Sequence, residues 1–185
     1  MYIRTADKNL FKDIRAVWYA LPRSGEQKIP AKSALHPRML ASYLANIGIS
    51  EHVGGGQLVF RLLGTNSREF WGEELTGSTY EELANQLPEG VMMPPEILEA
   101  IFQQPCGIES VREAEDKEGH TWRADMLSLP LADNNGEAKY LLYGYRVYSV
   151  GDGPITAGWM PGFADLTTAR LISMGFVDIG SGVPT

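Results

Sequence analysis

The chain has 185 residues, 44% of them hydrophobic, with a single cysteine, a formal net charge of -7 and a pI near 5.0. That length suits one domain with extensions and supplies a real core, while the acidity opposes a phosphate backbone, whose binding depends on clustered Lys and Arg. Lone Cys106 permits no intrachain disulfide and fits the reducing cytoplasm, and no uncharged apolar run of about 18 residues is present to span a bilayer; neither nucleic acid nor membrane is expected as a partner.

The opening MYIRTADKNLFKDIR is charged throughout and lacks the apolar stretch of a signal peptide. Leu10, Ile14, Val17, Trp18 and Leu21 then fall on one helical face, so an amphipathic helix is expected from Asp7 to Leu21, capped by Thr5 or Asp7 and stopped by Pro22. RSGEQKIPAKSA is a polar connection. A second helix is expected from His36 and Pro37, burying Leu40, Tyr43, Leu44 and Ile47. The period next changes to two: Ile47, Ile49, Glu51 and Val53 share a strand face, Gly54, Gly55 and Gly56 turn the chain, and QLVFRLLG returns as a second strand.

Short helical turns follow in TNSREFW and STYEELANQL, and PPEILEAIFQQ forms a longer helix with Ile97, Leu98, Ile101 and Phe102 on one face. The last third reads as three strands, GIESVREAED, TWRADMLSLPLAD and AKYLLYGYRVYSV, turned at KEGH and NNG. The product is an α+β fold, a five-stranded antiparallel sheet with helices on one face over residues 36–150. A helix and connection precede it over 1–35, and an extension follows over 151–185.

FRLLGTNSREFWGEELTG joins the second strand to the helices. It lacks the several small residues and the Lys of a phosphate cradle. The stretch is a bend, with Gly64 expected to take backbone angles closed to other residues and Thr65 or Asn66 expected to cap the helix that follows.

Two strands, a helical crossover and three strands are also the order of PAS domains. Together with that order, AVWYALPRSGEQKIPAKSALHPRML, FRLLGTNSREFWGEELTG and LSLPLADNNGEAKYLLYG resemble a PAS-type family common in alphaproteobacteria. Trp18, Pro30, His36-Pro37, Arg61, Gly64-Thr65 and the Gly72 to Gly77 segment occupy that family's motif positions, over roughly Ile14 to Tyr148. His36-Pro37 replaces a frequent Asp-Pro, and Ser78 replaces a basic residue. The resemblance implies a sensory or regulatory domain that binds a small molecule or protein partner and signals through partner or dimer contacts.

It also frames the cofactor question. PPEILEAIFQQ has no histidine where haem-binding PAS domains commonly carry their axial ligand, and C-x-x-C-H is absent. Cys106 follows Pro105 outside the crossover, so covalent flavin photochemistry has no residue to carry it. Neither haem nor covalent flavin chemistry is expected. His36, His52 and His120 are too far apart for metal-binding motifs, and no G-x-S-x-G occurs.

Aromatic and sulfur side chains do concentrate around the sheet and crossover, including Phe60, Met92 and Met93. Arg61, Phe70, Trp71, Ile101, Phe102, Trp122, Met126, Tyr143 and Tyr145 are the candidates for a pocket in which rings give contact area and polar tips give orientation. Leu10, Ile14, Val17 and Trp18 are the candidates for a homodimer contact, or for sealing the chain's own sheet. Two alternatives stand beside the sensory reading. One is a small enzyme of the nuclear-transport-factor-like type using Asp125 as a buried acid; the other is a ligand-free dimerisation adaptor.

Overall fold

The computed structural model describes residues 9–23, 28–88, 91–151 and 162–184. The first apolar stripe folds as α1 (Leu10–Ala20), and Leu21 leaves it in an extended conformation ahead of Pro22; the expected caps Thr5 and Asp7 lie outside the described residues. The second expected helix is instead a run of 3-10 turns over Pro37–Asn46, opened by His36, whose Nδ1 accepts from the Arg38 N–H at 3.2 Å. Leu40 is its one buried residue; Tyr43 is half-buried and Leu44 is 41% exposed. Three residues per turn cannot keep a four-residue stripe on one face, and Ile47 already belongs to the first strand.

The hairpin β1 (Ile47–Gly54) and β2 (Gln57–Leu63) is followed by the crossover helices α2 (Thr65–Trp71), α3 (Tyr80–Ala84) and α4 (Pro95–Gln103). β3 (Gly107–Asp116), β4 (Thr121–Ala132) and β5 (Ala138–Val150) come next, and β6 (Leu166–Val177) ends the series. The sheet order is β2-β1-β5-β4-β3-β6, antiparallel throughout. β6 corrects the expected count of five: it lies along β3 from Gly107 opposite Val177 to Asp116 opposite Leu166. Half of its residues are exposed, and apolar alternation in LTTARLISMGFV is confined to Ile172, Met174 and Phe176, a short stretch beside a polar first half.

Alternation on β4 divides the sheet into two faces, with Leu127, Leu129 and Leu131 toward α1 and Met126 and Ser128 toward the crossover. Leu10, Ile14 and Trp18 meet those leucines and Leu142 in one core. The Trp18 indole N–H donates to the Pro130 carbonyl at 2.8 Å, which removes the desolvation cost of burying it. Gly144 of β5 makes the close approach possible, because a Cβ there would stand 2.3 Å from Ile14 Cδ1. Leu10, Ile14 and Trp18 are each 0% exposed and Val17 is half-buried against the same core, so of the two roles weighed for this stripe the packing fits the sealing of the chain's own sheet.

Gly64 also departs from expectation. Its φ of -66 and ψ of 156 are open to any residue, and Gly64 itself, rather than Thr65 or Asn66, is the N-cap of α2. The need for glycine is spatial: a Cβ would lie 2.4 Å from the Leu44 and Ala45 carbonyl oxygens. Among the described residues no helix is long and apolar enough to cross a membrane.

Candidate functional site

The crossover does not close fully on its face of the sheet. A cavity of about 210 Å³ remains. Its floor is Tyr143, Tyr145 and Val147 of β5, Met126 of β4 and Phe60 of β2; Phe70, Trp71, Leu75, Tyr80 and Leu83 roof it, and Leu166 and Ala169 of β6 close one side.

The G-x-x-L-T-G segment, Gly72 to Gly77, builds this roof. The Gly77 N–H donates to the Phe60 carbonyl at 2.8 Å and the Phe60 N–H to the Ser78 carbonyl at 3.0 Å, clipping the segment to β2. Leu75 is thereby held inward at 5% exposure. Thr79 then opens α3 with a capping box: Glu82 N–H donates to Thr79 Oγ1 at 3.1 Å and Thr79 N–H to Glu82 Oε2 at 2.7 Å. That start sets Tyr80 and Leu83 over the sheet.

Few polar groups interrupt the apolar wall. Tyr145 accepts from Ser67 Oγ at 2.9 Å and donates to the Ala45 carbonyl at 3.4 Å, and burial pushes its pKa up to about 12. Burial, reinforced by Tyr145, also raises Tyr143 above the ordinary tyrosine range. Both hydroxyls are therefore neutral at physiological pH, and that of Tyr143 is buried beside Ser50 without a well-aligned hydrogen bond. The Trp122 indole N–H is already committed to Asp116 Oδ2 at 2.8 Å. Arg112 on β3 donates through Nε to the Val91 carbonyl and through Nη1 to Ser110 Oγ, both at 2.9 Å, and burial pulls its pKa down.

The structure brings Phe70, Trp71, Trp122, Met126, Tyr143 and Tyr145 together around this space. Arg61, Ile101 and Phe102 are not part of it. Arg61 is exposed, with Nε 2.6 Å from Glu51 Oε2, while Ile101 and Phe102 join the core around Leu98, where Phe102 stacks on His52 at 4.2 Å. Arg112, Leu75 and the β6 residues were not foreseen. Arg112 had a signal, because it shares its strand face with buried Ile108 and Ser110; β6 had only the short alternation of Ile172, Met174 and Phe176.

Asp125 is not the isolated acid that an enzymatic reading needs. It is 7% exposed and receives Arg146 Nε at 2.8 Å and the Tyr148 hydroxyl at 3.2 Å. Arg146 in turn lies over Phe11 of α1, on the face away from the cavity. Cys106 is buried, and burial lifts its thiol to about 11. No cluster of three metal-ligating residues occurs among the described residues.

An antiparallel sheet carrying a helical crossover above an apolar space is the architecture of a PAS-type α+β domain. The family model for the PAS domain matches residues 7–145, three quarters of the chain, and the chain belongs to that family, whose domains are generally sensory. A light-oxygen-voltage domain solved in work on a flavin analogue is similar at 16% identity and a TM-score of 0.39, over 62% of this chain and 84% of that one. No curated protein matches.

Proposed function

We propose that the chain is a non-catalytic cytoplasmic sensor whose signal is a small apolar molecule held in the cavity and whose output reaches a protein partner, or a second copy, through its C-terminal segment. One observation carries this reading: the cavity wall is shared between the crossover and that segment. Phe163, just ahead of β6, lies 4.5 Å from Trp71 and 6.2 Å from Phe70 between ring centroids, and Leu166 and Ala169 line the same space. Filling the space would favour one packing of Trp71 against Phe163 over another, and a ligand shifts an equilibrium by its difference in affinity for the two states. The lone buried thiol fits a reducing compartment.

Native mass spectrometry of protein purified from its own host tests the reading. A retained small molecule that is released on unfolding is expected, and Trp71→Ala should lose it. Absence of any retained mass, together with no thermal stabilisation by small apolar compounds, would overturn the sensor in favour of a dry scaffold.

A further inference from the structure

Arg112 brings a positive charge to the wall of a mostly apolar cavity, whose other charged lining residues, Glu113 and Arg123, are paired with each other. Charges removed from water are ordinarily matched by an opposite charge. Here the partners are neutral: the Val91 carbonyl, Ser110 Oγ and the Tyr80 hydroxyl beside it. None of the ion pairs among the described residues includes Arg112. Of the acids on β3, Glu113 is engaged by Arg123 and Arg170 and Glu109 by Arg15, and Glu115 forms no ion pair with Arg112.

Five N–H donors in a planar fork suit a carboxylate, and three neutral acceptors do not use them up. From this we infer that the ligand is an apolar carboxylic acid, its carboxylate paired with Arg112 and its hydrocarbon body lying among Phe60, Trp71 and Met126. The inference rests on the cavity being a ligand site and goes further by assigning the ligand's charge.

Size narrows the class. A cavity of roughly 150 Å³ holds benzene, so by proportion the 210 Å³ here takes a body of about eight non-hydrogen atoms. Medium-chain fatty acids and arylacetic acids have that size. The same guanidinium also braces the connection between α3 and α4 through Val91, so loss of stability alone cannot identify its role.

Isothermal titration calorimetry at neutral pH with octanoate and 1-octanol, on the parent, Arg112→Leu and Arg112→Lys, separates these roles. The parent should bind octanoate about tenfold more tightly than octanol, as a charge-assisted pair in a dry site provides. Arg112→Leu should abolish that preference while still binding octanol, and Arg112→Lys should keep part of it. Equal affinity for acid and alcohol in the parent, or a preference that survives Arg112→Leu, overturns the carboxylate assignment and leaves the cavity as a site for neutral ligands. If neither compound binds the parent, the assignment fails together with the ligand-site reading beneath it. Should Arg112→Leu not fold, the parent ratio and the lysine variant still decide.

Discussion

Gly64 is held by proximity rather than by torsion. A methyl group there meets two carbonyl oxygens at 2.4 Å, both on backbone that cannot rotate away. Gly64→Ala should therefore cost about 1 kcal/mol or more, read as a lower midpoint in chemical denaturation. An unchanged midpoint would mean that the 3-10 run ending at Asn46 yields freely. Asp116 gives a residue-scale dependence on pH. Burial alone would raise its pKa, but the Trp122 indole and the backbone N–H groups of His120 and Glu118 outweigh it, leaving the folded value below 3.8. A folded pKa below the unfolded one stabilises above the unfolded value, and that stability is lost as pH falls through the folded value. Asp116→Asn should thus lower the thermal midpoint at pH 7, with the gap from the parent closing below about pH 4. A gap of the same size at pH 7 and pH 3 would show that the carboxylate's charge contributes nothing.

At the scale of elements, α1 shows what periodicity can and cannot reveal. The spacing of Leu10, Ile14 and Trp18 correctly announced an apolar face, but the same stripe serves a second copy or the chain's own sheet. Gly144, more than a hundred residues away, decides between them by letting the helix descend onto β5. Trp18→Ala should consequently cost roughly 3–5 kcal/mol, as large-to-small core changes do, with no change in the sedimentation coefficient of the folded fraction. A parent dimer that dissociates in the variant at constant thermal midpoint would return α1 to an interface. β3, β4 and β5 were legible because their turns and alternation agree. The 3-10 run and β6 were not: one mimics a helical stripe without its period, and the other alternates only over Ile172, Met174 and Phe176 while it pairs with β3 along its whole length.

On the scale of the whole molecule, two layers cover the sheet and only one of them is fully packed. The α1 side is a closed core, while the crossover side keeps its space. Aromatic composition foretold much of that space, since six of the candidates wall it, but the short alternation at Ile172, Met174 and Phe176 does not say that Leu166 and Ala169 of the same strand close its side. Sequence reports which side chains are apolar; only topology reports which edge a late strand joins. The uneven covering has an optical consequence. Trp18 is sealed between helix and sheet, whereas Trp71 and Trp122 stand at the cavity. Among the described tryptophans, a quencher or ligand entering the cavity reaches the latter pair and leaves Trp18 untouched, so the emission of Trp71 and Trp122 reports occupancy while that of Trp18 serves as an internal reference.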